Sequence, residues 1–171
     1  GMTWYEGTPG DFFLREVHVR VGGTEVAIAR ATVSHAANLY GHAAVGGAET
    51  VDGDPHTGWS VHGRIGERHV AVFELSEPLP AGSECVLELH FGRHFASSLG
   101  RFRIAGSTAA GPLHAQAFAP DVEDLLRRGD VGQDAAELER LRTAFLMQAP
   151  EVREASDRLR QLRRGPAPVT T

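Results

Sequence analysis

Between residues 12 and 107 the chain carries short segments in which apolar positions alternate, separated by glycine turns, and from residue 120 apolar positions recur every third or fourth. Val17, Val19 and Val21 alternate with Glu16, His18 and Arg20, which predicts a half-buried strand from Phe12 to Val21. Gly22-Gly23 is a tight-turn signal, and Glu25 to Val33 reads as the return strand of a hairpin. Small residues and glycines fill 34–58, which reads as a long loop, and Trp59 to His62 reads as a short strand. His69 to Ser76 and Ser83 to Phe91 alternate clearly, with a Pro-Gly turn between them, and Arg101 to Ser107 closes the set.

Beyond Pro112 the period changes. Pro120 to Leu126 opens a helix with acidic residues in its first turn, and Gly129 ends it. Asp134 caps a second helix through Gln148, with Leu138, Leu141, Phe145 and Leu146 along one stripe. Pro150 breaks it, and a third runs from about Glu151 to Arg164 with Val152, Ala155, Leu159 and Leu162 at helical spacing. The expected organisation is a β-sandwich over 11–112, a helical extension over 113–164 and a linker over 165–171. At least five short strands with no amphipathic helix between them point to an antiparallel sandwich or barrel rather than a doubly wound fold.

Composition excludes more than it assigns. The net charge of −5 gives nucleic acid no support, and no run of apolar residues is long enough for a membrane helix. All seventeen cationic side chains are arginine. The tail arginines (Arg153, Arg158, Arg160, Arg163, Arg164) interleave with Glu151, Glu154 and Asp157, as on a solvated helix. Cys85 is the one cysteine, so no internal disulfide and no cysteine-based zinc or haem-attachment site exists, and its alternation with Leu87, Leu89 and Phe91 predicts a small buried residue.

The most informative stretch is Thr50-Val51-Asp52-Gly53-Asp54-Pro55-His56-Thr57-Gly58-Trp59. It resembles the Asp-Gly-Asp-x-x-Thr-x-Trp signature of discoidin domains (coagulation factor five/eight type C, galactose-binding-like), although Thr50 stands where alanine is usual. That resemblance implies an antiparallel jelly-roll sandwich of eight strands with a structural Ca2+ ion at this loop. Asp52, Asp54 and Thr57 match the positions that supply oxygens, and Trp59 matches the one that packs in the core. With Asp11–Val17, His69–Leu75, Gly100–Ile104 and the helical tail, the chain also resembles the module embedded in large planctomycete-type proteins that carry a cytochrome c-like domain and two domains of unknown function. Those parents are thought to be exported. The resemblance says little of activity; the expected role is a non-catalytic binding or scaffolding module, with polysaccharide or glycan as the first ligand class. The alternative is a structural spacer that docks the parent's neighbouring domains.

The residues themselves leave the loop open to two readings. A hard cation favours several oxygens from a glycine-broken loop, whereas Asp-Gly and Asp-Pro turns use their carboxylates to accept backbone N–H groups. A sugar site needs an aromatic platform and convergent polar groups at loop ends, for which Trp4, Tyr5, Tyr40, His42, His94 and Phe95 are the candidates, with Arg64 or Arg93 as donors. Nine histidines invite a metal or proton-relay reading, with His56, His62 and His69 clustered in sequence, while His18 and His90 fall on polar strand faces. Glu74 and Glu88, expected on neighbouring strands, imitate a glycosidase pair but read more simply as solvent-facing carboxylates. No nucleophile elbow, phosphate loop or zinc-helix motif occurs, so no catalytic residue is assigned.

Overall fold

The computed structural model describes residues 11–38, 44–92, 98–109, 111–129 and 134–164. Its chain divides into two compact units, Gly1–Ala117 and Phe118–Thr171. Among the described residues the first holds five strands: β1 (Leu14–Val21), β2 (Thr24–Val26), β3 (Ile28–Val33), β4 (Ala71–Leu75) and β5 (Cys85–Phe91). They form a three-stranded sheet ordered β2-β1-β5 and a two-stranded sheet of β3 and β4, both antiparallel.

The expected eight-stranded jelly-roll sandwich is therefore not what forms; the described residues make a mixture of two small sheets and three helices. The shortfall has local causes. The described residues of 34–38 and 44–70 are broken by bends and by Gly53, Gly58, Gly63 and Gly66 at positive φ, and they make isolated bridges instead of ladders: Leu14 with Trp59, Ala37 with Val61 and Val45 with Gly58. The strand expected over Arg101 to Ser107 pairs with nothing among the described residues. The return strand of the first hairpin also splits: β2 pairs with β1, whereas β3, one residue later, pairs with β4. At the crossover the Ala27 carbonyl accepts from Ser76 N at 2.8 Å, so the break in the ladder leaves no orphaned acceptor there.

Period-two burial holds where ladders do form. Val17 and Val19 are buried opposite Leu89 and Leu87, while Glu16, His18 and Arg20 lie on the other face. Phe12, Leu14, Val17, Trp59 and Val61 make the core cluster, and both sheets add to it, through Leu87, Leu89 and Phe91 on one side and Ile28, Ala71 and Phe73 on the other. Trp59 is 5% exposed, stands edge-on to Phe12 with ring centres 5.0 Å apart and donates its indole N–H to His35 O at 2.8 Å. Cys85, expected to be buried, is exposed: it opens β5 opposite Val21, at the end of the sheet away from the core cluster.

The segment 113–115 is tied to the two-stranded sheet. Leu113 N donates to the Glu74 carboxylate, Leu113 O accepts from the Arg30 guanidinium at 3.0 Å, and Ala115 N donates to Thr32 Oγ1 at 3.0 Å. In the second unit, α1 (Pro120–Arg128) starts at a proline and ends on Gly129 at φ 73°. Asp134 caps α2 (Ala135–Leu146) by accepting from Ala136 N at 2.8 Å, and a 3-10 turn at Pro150–Val152 leads into α3 (Arg153–Arg164). No helix among the described residues is long and apolar enough to cross a membrane.

Candidate functional site

The loop before Trp59 is built against β1. Leu14 and Trp59 exchange both backbone bonds, at 2.9 and 2.7 Å, and Gly46 N donates to Gly58 O at 2.9 Å. Gly58 sits at φ 153°, where any Cβ would collide with the Leu14 carbonyl, so a glycine is required for the loop to lie on the strand. Behind it Thr50 is wholly buried, its hydroxyl donating to Gly47 O at 2.6 Å. That bond lies within the 3-10 turn Ala48–Thr50 and satisfies the buried hydroxyl.

Around Thr57 the oxygens crowd. Its hydroxyl lies 2.9 and 2.8 Å from the two carboxylate oxygens of Asp52, 3.0 Å from Asp54 O and 3.3 Å from Glu49 O. One hydroxyl proton can serve only one of these four acceptors at a time. The contacts are hydrogen-bond distances about one hydroxyl, and the carboxylate, carbonyl and hydroxyl oxygens gathered there are of the kind a hard cation prefers. The two aspartates are not equivalent. Asp52 Oδ1 accepts from Asp54 N at 2.9 Å and its carboxylate also faces Thr57; the Asp54 carboxylate accepts from His56 N at 2.8 Å and caps a turn, so Asp54 contributes its main-chain oxygen to the cluster. The turn reading holds at both aspartates, each of which accepts from the backbone N–H two residues on. Among the described residues no group of three or more His, Cys, Asp or Glu gathers as a metal cluster. A cation here would rely chiefly on carbonyl and hydroxyl oxygens, with one carboxylate. When bound, calcium would cross-link Glu49, Asp52, Asp54 and Thr57 and so fasten both ends of the loop.

Of the expected sugar-site residues, Trp4, Tyr5, Tyr40, His42, Arg93, His94 and Phe95 lie outside the described residues. Arg64 is half-buried in the turn after Val61, its N–H donating to Val61 O at 2.9 Å and its carbonyl accepting from Glu67 N and His69 Nε2. Trp59, the one tryptophan described, is committed to the core. Beside the Asp52 loop a shallow cavity of about 230 Å³ is lined by Arg15, Glu16, His18, Gly53 and Pro55, without an aromatic platform.

The histidines regroup. His56 is exposed on the Asp52 loop. His35, which sequence spacing does not flag, comes within 6.1 Å of the His69 ring, and each ring bonds a carbonyl of the same turn: His35 Nε2 to His62 O at 3.0 Å and His69 Nε2 to Arg64 O at 2.7 Å. Burial pushes both rings below the ordinary histidine value, because the charged form would lose water. On the outer face of the three-stranded sheet the His18 and His90 rings lie with centres 5.2 Å apart and planes tilted by 60°, His18 bonded to Glu25 at 2.7 Å and Glu88 facing Arg20 and His90. The His18 hydrogen bond holds the Glu25 carboxyl below its usual value.

Sequence reasoning also missed Asp11. Its buried carboxylate accepts from Phe12 N at 2.8 Å, Val61 N at 3.2 Å and Ser60 Oγ at 2.7 Å, tying the start of β1 to the chain after Trp59. A lone aspartate ahead of two phenylalanines gives no sign in sequence that three donors will converge on it. Glu74 and Glu88, expected on neighbouring strands, lie in different sheets, Glu74 beside Arg30 and Glu88 beside Arg20, so they are not a facing acid–base pair.

No protein-family model matches the chain, and neither do curated proteins or solved structures.

Proposed function

We propose that the chain is a non-catalytic docking module within a larger exported multidomain protein, the strand unit serving as scaffold and the helices as the surface that seats a neighbouring domain. One observation carries this reading. α2 has no buried residue at all, and its stripe leaves Leu138, Phe145 and Leu146 exposed, as α3 leaves Leu159 and Leu162. An isolated helix of this length is marginal in water, and most helical stability comes from packing an apolar face. The stripe is therefore surface made for a partner. The resemblance of four sequence segments and the tail to modules of multidomain parents supports the choice of a neighbouring domain as that partner.

Calcium at the Thr57 oxygen cluster belongs to the same reading, as a clamp on the scaffold and not a reaction centre. The glycan reading rests on residues of which Arg64 alone is described, and its carbonyl and N–H are occupied within its own turn.

The test is calorimetric titration of the chain with each neighbouring domain of the parent. Binding that disappears in Leu138→Ser/Phe145→Ser supports docking. Indifference of every domain to the chain, or binding unchanged by the double substitution, removes it.

A further inference from the structure

The segment after β5 and the outer edge of β5 are complementary. Residues 101–109 are all exposed and pair with nothing among the described residues, yet Arg101-Phe102-Arg103-Ile104 alternates as a strand does. Phe102 and Ile104 are 57% and 64% exposed. Two large apolar side chains at alternate positions of a segment that pairs with no described strand suit a sheet edge.

Among the described residues such an edge lies open on β5. It is the end strand of its sheet, seven residues long, with neither proline nor glycine, and no described strand lies beyond it. Edges of this kind invite pairing unless charge, proline or a bulge blunts them, and the bulge at Leu14/Glu16 lies on the β1 side. None of its seven residues is fully buried, although Leu87, Leu89 and Phe91 face the core. On the opposite face stand Glu88 and, just before the strand, exposed Glu84.

We propose that residues 101–107 of one copy add as a strand to the β5 edge of a second copy. Phe102 and Ile104 extend the apolar layer of Leu87 and Leu89, while Arg101 and Arg103 extend the outer face beside Glu84 and Glu88. Main-chain hydrogen bonds supply affinity, and the match of apolar with apolar and cation with carboxylate sets the face presented. Because each copy offers both halves, the exchange is reciprocal and closes as a two-fold dimer.

Sedimentation of the full chain over a concentration series, paired with backbone hydrogen exchange, decides the matter. The expected result is a dimer that dissociates on dilution, with the amides of 101–107 protected only in the dimer. Phe102→Ser/Ile104→Ser and, separately, Arg101→Glu/Arg103→Glu each weaken it about tenfold or more, leaving the melting of the monomer unchanged because all four side chains are exposed. A chain that stays monomeric at every concentration overturns the proposal, whether those amides exchange freely or are protected by the chain's own strands. So does a dimer that ignores both double substitutions.

Discussion

In the strand unit, residues distant in sequence converge on one cluster: Phe12 and Leu14 from the start of β1, Trp59 and Val61 from the loop that lies on it. The helical unit closes little of its own surface, burying Val122, Leu125 and Ser156 while Phe145 and Leu162 remain 69% and 72% exposed. The first unit supplies its own contacts, and the second has apolar surface to spare. A substitution in the two places should therefore be read by different measurements, stability in the first and association in the second.

The sharpest form of this contrast is Trp59→Ala, which removes the ring that packs on Phe12 and the N–H that binds His35 O. Loss of a buried aromatic costs about 4 kcal/mol, and thermal unfolding of the strand unit should register nearly all of it. Asp11→Ala follows, at about 3 kcal/mol, because three donors lose one buried acceptor and two of them are backbone N–H groups that cannot turn away. A melt that barely moves for either variant would mean the cluster does not hold the unit together.

Calcium comes next. At ~100 times its dissociation constant a native-state ligand adds about 2.7 kcal/mol, so melting in calcium should exceed melting in chelator by that amount. The side chains divide the prediction. Asp52→Asn should abolish the increment, whereas Asp54→Asn should keep most of it, since Asp54 faces the oxygen cluster with its carbonyl. Equal melts with and without the ion remove calcium from the loop; equal loss in both variants removes the division of labour.

How far the fold could be read in advance differed between the same two regions. The α1 and α2 caps were legible because they depend on a few adjacent residues: Pro120 and Gly129 for α1, Asp134 for α2. The strands containing Val17, Phe73 and Leu87 were legible from alternation. What alternation cannot give is which strand pairs with which. One residue, Ala27, separates β2 in one sheet from β3 in the other, so a continuous run in sequence conceals a change of sheet. The expected sandwich failed for that reason and because 101–107 carries a strand's pattern without a partner. The site was legible in part. Asp52 and Thr57 were singled out by the resemblance to the discoidin signature, whereas Glu49 O enters through its backbone, which no side chain advertises. His35 and Asp11 reach their partners across 27 and 50 residues.

The histidine bracket gives a smaller, pH-dependent effect, since both rings are only half-buried. An unfolded chain takes up protons at these sites as pH falls below about 6.5, while the folded chain resists until the lowered values are reached. In that window the unfolded state binds more protons, so the contribution is fully present above about 6.5 and is lost as pH falls through the folded values. Melting followed downward from neutral pH should decline there, and less steeply in His35→Gln/His69→Gln. A parallel decline in the double variant would assign the acid sensitivity to other groups.

The smallest stability effect is expected where the sequence looks most hydrophobic. Phe145→Ser removes a large apolar side chain, but one that is 69% exposed on a helix with no buried residue, so the melting of the isolated chain should change by no more than about 0.5 kcal/mol. The same substitution should weaken association with a neighbouring domain, because there the ring leaves water. The pairing of a silent melt with lost binding is what separates a docking face from a core face. A melt that drops as far for Phe145→Ser as for Trp59→Ala would show that the stripe is already covered within the chain, and the contrast between the two units would disappear with it.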